Sequence, residues 1–337
     1  PTMVSSSAAS DVYKRQEHDL RLTIFWLVHL ALLGVFAIEL LFVLSVWLKA
    51  RVPGLPANAS RWRKLGASLK FGVGLVFSRR AWPLLKALVV DGMVHRRLYQ
   101  SSVRRWGVHI AVFGSWLVLG VFSTLTGVSV EILPLLGMSP AEVASLPFLG
   151  HLYHADVWWV AFLNEILGLI ALVGVLFMVY RRYVQRDSQQ RTMPADTIVI
   201  VLLALIAFSG FPTETFRLLA DYTTPAGVFS PSPTMISPDK LPPSLYGVWA
   251  PQWAFLGYPS ALILGMLRLD ASVWDALHSV SFWGHFVIVC VLLFYLPFSR
   301  FFHVIMSPVI VAYNTVLDQE AHSDRHRAGR ETPQPVQ

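Results

Sequence analysis

The chain has 337 residues, 55% hydrophobic and only 14% charged, with a mean hydropathy of +0.54. Soluble domains carry about 25% charged residues, which excludes an ordinary soluble protein. Apolar runs longer than about 18 residues indicate an all-α integral membrane protein, and the absence of strand-period alternation excludes an outer-membrane barrel. One cysteine, Cys290, can neither form an internal disulfide nor ligate an iron–sulfur cluster, so any such centre belongs to another chain. The net charge of +7 does not point to nucleic acid, because the basic residues gather in particular loops, as membrane topology requires.

Residues 1–16, PTMVSSSAASDVYKRQ, lack the apolar stretch of a secretory signal and read as a non-native, adapter-derived leader. The first predicted span, Leu22–Leu48, fills the segment 17–48. A connection over 49–105 follows, with thirteen Lys or Arg against the single acid Asp91. Within it Ser60–Lys86 mixes apolar and basic residues and is expected to lie on the membrane surface, as an anchor or a partner-docking face. The remaining spans are Trp106–Thr126, Val157–Tyr180, Thr197–Leu219 and Val280–Phe298. They form one domain over 106–317, with a polar tail over 318–337.

The Gly127–Ala155 connection has no Lys or Arg, whereas Arg181, Arg182, Arg186 and Arg191 follow the third span and Arg300, Arg325, Arg327 and Arg330 the fifth. The charge bias therefore puts the amino terminus outside and the carboxyl terminus inside, with five spans. Val248–Leu269 is apolar but interrupted by Pro251, Gly257 and Pro259. It reads as an interfacial or re-entrant helix within a long outer loop, Asp221–Asp275, which could shape a quinone pocket or meet an external subunit.

Ionisable groups inside a bilayer are costly and tend to mark function. His285 and His303 are eighteen residues apart, which on a helix puts them on one face about 27 Å apart. His109 opens the second span at the inner depth of His303. Two imidazoles on facing helices can clamp a b-type heme, although histidines at a membrane border can equally be unrelated.

PFSRFFHVIMSP (297–308), following WGH at 283–285, resembles the last helix of respiratory nitrate reductase gamma subunits, including their heme-ligand spacing. RRWGVHIAVFGSWLVLG (104–120) is similar to the second helix of that superfamily. SGFPTETFRLLA (209–220) resembles the fourth-helix signature of its heterodisulfide reductase and Dsr-complex cytochrome b branch. The likeness runs from about Arg97 to Ala312. It implies a cytochrome b of the prokaryotic cytoplasmic membrane, with a heme-binding four-helix bundle from spans two to five. Such a protein passes electrons between menaquinol and a cytoplasmic iron–sulfur partner. Two b hemes are implied: His109 and His303 would hold the inner one, and His285 one side of the outer one.

Where the gamma subunits carry the other outer ligand, this chain has Leu119, which cannot bind iron. His154 is the preferred substitute, with His151, His29 and His278 as alternatives, and a single heme remains open. Glu214 near the outer end of the fourth span is a candidate proton exit. Arg217, three residues on, is its salt-bridge partner or a propionate partner. Glu165, deeper in the third span, reads as a structural hydrogen-bonding acid rather than a relay, and Glu39 as a snorkelling or paired acid. Arg104, Arg105 and Arg300 flank the inner site as topological charge or propionate partners. The rival readings are a one-heme anchor of such a complex and a heme-free membrane scaffold or transporter.

Overall fold

The computed structural model describes residues 58–185 and 194–299, with scattered positions between 25 and 56 and between 302 and 318. It divides into two compact units, Pro1–Arg79 with Leu293–Phe302, and Arg80–Leu292 with His303–Gln337. In the first unit the described part of the predicted first span contains an apolar helix, Leu30–Val43. A second helix, Arg61–Val76, starts at Ser60, whose Oγ accepts the Arg63 amide at 3.3 Å. It falls where a surface segment was expected and leaves Trp62 exposed, as is Phe77 just beyond its end.

Four helices are long and apolar enough to cross a membrane: Val103–Leu135, Trp158–Val184, Pro194–Tyr222 and Ala271–Phe298. They correspond to the second to fifth predicted spans, so the chain is an all-α, multi-pass membrane protein. The second span starts at a Ser102 cap and continues through a π-helical turn, Val128–Ile132, past its predicted end at Thr126. The fourth contains Pro212, which has no N–H for the Phe208 carbonyl and so breaks one rung of the helix. The last span begins at Ala271, nine residues before the apolar run starts at Val280. Asp275 and His278 depress the hydropathy of those turns without interrupting the helix.

Gly174 lets the second and third spans meet: a Cβ there would lie 2.9 Å from Val112 Cγ2 and 3.1 Å from Ala111 Cβ. At their inner ends the third and fourth spans are tied by Arg182 to Asp196 at 2.6 Å and by Tyr183 Oη to Thr197 Oγ1 at 2.7 Å. The main packed core lies toward the opposite end, called the outer side after the charge bias. There Leu218, Leu219 and Tyr222 of the fourth span pack with Leu241, Leu245 and Ala261 of the loop. Within that loop a short helix, Gly257–Gly265, replaces the longer Val248–Leu269 segment expected from hydropathy.

Inserting methyl groups into a packed contact typically costs about 1–3 kcal/mol. Gly174→Val is therefore expected to lower the melting temperature of the detergent-purified chain by several degrees. Gly120→Val, on the same helix pair with nothing within 4 Å of its Cβ position, serves as the control. Equal melting of the two variants would contradict this close approach.

Candidate functional site

The fourth and last spans face each other through polar side chains inside the apolar zone. His285 Nδ1 lies 2.8 Å from Ser209 Oγ, whose hydroxyl also donates to the Ile206 carbonyl at 3.2 Å. With that hydroxyl proton engaged, the ring nitrogen is the donor to Ser209. Two turns outward His278 Nδ1 lies 3.2 Å from the Thr213 carbonyl, which can only accept. Thr213 Oγ1 and Ser281 Oγ meet between them at 2.6 Å. Both rings thus carry their proton on Nδ1 and keep the Nε2 lone pair. This is the tautomer that a metal-ligating histidine needs, fixed as usual by a hydrogen bond to the other nitrogen.

At the inner end His109 Nε2 lies 3.2 Å from Nε2 of His95, a residue that no sequence pattern singled out. His95 has φ 56°, a left-handed conformation unusual outside glycine. Its Nδ1 donates to the Met93 carbonyl at 2.8 Å, which again leaves Nε2 as the acceptor. Phe113 flanks both rings. His303, His29 and Arg300 lie outside the described residues. Arg104 sits over the Phe177 ring, 5.6 Å from its centroid, on a face of the second span about 140° from His109.

His151 and His154 have the opposite tautomer. His151 Nδ1 accepts from Trp159 Nε1 at 2.9 Å, and His154 Nδ1 accepts from the Asp156 amide at 3.1 Å. Their protons therefore sit on Nε2. Among the described residues no hydrogen bond, ion pair or ring contact joins either of them to His285. To bind iron through Nε2, His154 would have to move that proton and release the Asp156 amide.

The charged residues of the outer end converge on Arg217. Its guanidinium donates to Glu214 at 3.0 and 2.7 Å, to Asp221 at 3.1 Å and to both oxygens of fully buried Asp156. These five bonds use its five N–H groups, so pairing with a propionate would require giving one up. Tyr222 Oη donates to Asp156 and accepts from Trp249 Nε1 at 2.9 Å. Glu214 is thus held by Arg217, as its spacing suggested. Glu165 accepts the amides of Leu256 and Gly257, the latter at 2.7 Å, and so caps the loop helix at a depth of about 10 Å within the third span. A Cβ on Gly257 would lie 2.9 Å from Glu165 Oε1 and 3.0 Å from Glu214 Cγ, so the two acids meet there and only glycine fits. Glu39 is buried in the other unit, and its Oε2 has no partner among the described residues.

Burial drives the His154 pKa below its ordinary 6.5, and the nearby Asp156 carboxylate only partly opposes this. Burial also pushes Asp156 upward, but the Arg217 guanidinium and His154 outweigh it and hold the carboxyl below its ordinary value. Below pH 6.5 the unfolded chain binds a proton that the buried His154 ring refuses, so stability falls as the pH drops. Comparing melting between about pH 7 and pH 5 should give a shallower acid slope for His154→Gln than for the wild type. An unchanged slope would show that the ring does not contribute.

No family model matches the chain, and no solved structure matches it. Among curated proteins it is 31% identical over 135 residues to a subunit of the dihydromethanophenazine:CoB–CoM heterodisulfide reductase of Methanosarcina thermophila. That match covers 40% of this chain and 47% of the relative, so the chain spans about half the length of the curated relatives it matches. The corresponding subunit from Methanosarcina acetivorans is 30% identical over 135 residues, again 40% of this chain and 47% of the relative. An EtfAB:quinone oxidoreductase of Syntrophomonas wolfei is 22% identical over 220 residues, 65% of this chain and 26% of the relative. The chain is a relative of the membrane cytochrome b subunit of heterodisulfide reductase, the branch to which the fourth-span signature pointed.

Proposed function

We propose that this chain is the membrane electron-transfer subunit of a heterodisulfide-reductase-like complex. It carries b-type heme between a membrane-soluble two-electron carrier and an iron–sulfur partner on the inner face. The observation that carries the reading is His285, held inside the membrane zone by Ser209 in the tautomer that leaves Nε2 for iron. Among the described residues no three His, Cys, Asp or Glu side chains converge as a metal-ion cage. This donor set suits axial imidazole ligation of a heme better than a free metal ion.

A bound heme supplies one-electron storage in a dry part of the bundle. His285 is the outer ligand and His109 the inner one, which the resemblance pairs with His303. Ser209 fixes the His285 ring, and the apolar faces of the fourth and last spans keep water away. Oxidation of a quinol releases two protons with two electrons, and these need an acceptor near the outer end. Glu214, shared between Arg217 and the Gly257 contact, is the proposed proton exit, while Glu165 is committed to capping the loop helix. Menaquinol is the proposed carrier. The relatives' names include both a dihydromethanophenazine and a quinone, which supports this class of small aromatic redox carrier. The charge bias supports a carboxyl terminus inside a prokaryotic cytoplasmic membrane, and the 221–275 loop is a candidate contact for an external subunit.

A one-heme form is favoured by a specific observation. Leu119 replaces the expected outer ligand, and His151 and His154 hold the wrong tautomer to substitute for it. A redox-titrated visible spectrum of the purified full chain, with His109→Ala, His303→Ala and His285→Ala alongside, tests both forms. Two b-type components are expected, one lost in His285→Ala and the other in His109→Ala. A single component that survives His285→Ala would remove the outer heme. No heme in the wild type would overturn the proposal.

A further inference from the structure

The inner half of the second and third spans encloses a groove of about 410 Å³ that no part of the electron-transfer reading uses. Gly107, Val108 and Ala111 form one wall, and Ile170, Val173 and Phe177 the other, with Arg104 at the mouth. Its floor is the close approach at Gly174, where the helices are too near for a larger side chain. The groove is not a heme pocket of the kind proposed above, because His109 lies on a different face of its helix. Ile170 and Val173 are exposed at 39% and 57%, so it opens sideways to the hydrocarbon of the bilayer.

The cation at the mouth distinguishes this groove from ordinary lipid-facing surface. Arg97, Arg182 and Arg217 each have a carboxylate partner. Arg104 has none among the described residues and rests on the Phe177 ring. That cation–π contact holds the guanidinium at the end of the apolar slot while leaving its N–H fork available. Interior charge bias places this end at the cytoplasmic leaflet, where anionic lipids and basic pockets between spans meet.

We propose that the groove is a binding site for one anionic phospholipid of the inner leaflet, with a phosphate on Arg104 and an acyl chain between the second and third spans. The volume lies within the range of well-formed small-molecule sites. Charge complementarity selects the headgroup, and the apolar lining selects the chain. This inference does not depend on any heme.

Gly107 makes the proposal testable without disturbing the packing, because nothing lies within 4 Å of its Cβ position. Gly107→Leu would fill the slot, Arg104→Gln would remove the charge, and Gly120→Leu would load an open position elsewhere on the same span. The detergent-purified full chain is titrated with phosphatidylglycerol, phosphatidylcholine or inorganic phosphate, with bound lipid counted by native mass spectrometry. Phosphatidylglycerol is expected to bind more tightly than phosphatidylcholine. Arg104→Gln is expected to weaken it about fivefold, the factor that matches ~1 kcal/mol per basic residue at an anionic surface. Gly107→Leu should abolish the preferential binding and Gly120→Leu should retain it. Equal binding of the two lipids, or preference retained in Arg104→Gln or Gly107→Leu, would overturn the proposal. Saturation by inorganic phosphate alone would overturn the part assigned to the acyl chain.

Discussion

The buried contact between Asp156 and Arg217 is the constraint around which the outer end is organised. A fully buried carboxylate and a guanidinium in the membrane zone are tolerated only if both are paired and hydrogen-bonded. Here the pairing draws three parts of the chain together. Asp156 precedes the third span and Arg217 lies in the last turns of the fourth. Tyr222 and Trp249 extend the network into the loop, whose Ala250 amide donates to the Asp156 carbonyl at 2.8 Å. Breaking such a pair leaves a charge without compensation and typically costs several kcal/mol. The network therefore fixes the loop as well as the helix ends.

From that anchor the fourth span serves two neighbours. Toward the loop and third span it presents Leu218, Leu219 and the Arg217 network. Toward the last span it presents Ser209 and Thr213, one turn apart, which meet His285 and His278, two turns apart. Small hydroxyl residues allow close approach of helices in a membrane and supply partners for imidazole nitrogens. The same contacts that join the two helices also decide which ring nitrogen keeps its lone pair. Packing and ligand preparation are one arrangement here, and the outer carboxylates lie close to it along the same helix.

The spans were legible because length and hydropathy are the constraints a bilayer imposes. The Glu214–Arg217 contact was legible from its spacing of three residues. The start of the last span was not, because Asp275 and His278 interrupt the apolar pattern while leaving helix formation unaffected. Asp156 was not singled out either, since its partner is sixty-one residues away and no local period links them. His95 stayed hidden for a similar reason. Its left-handed backbone turns the chain so that residues 95 and 109 meet, and no helical period encodes such a bend. The tautomers of His151 and His154 depend on Trp159 and on a backbone amide, and only three-dimensional contacts supply them.

The chain thus combines a membrane bundle, imidazoles prepared for axial ligation and a charged network at the outer end, on a relative of the heterodisulfide reductase cytochrome b subunit. The measurement that bears most directly on this account is the ratio of heme to chain in the purified protein, by pyridine hemochrome and quantitative amino-acid analysis. A ratio of about two is predicted for paired inner and outer b hemes. A chain that folds, as judged by its helical circular dichroism, and yet holds no heme when expressed with ample heme supply would contradict it.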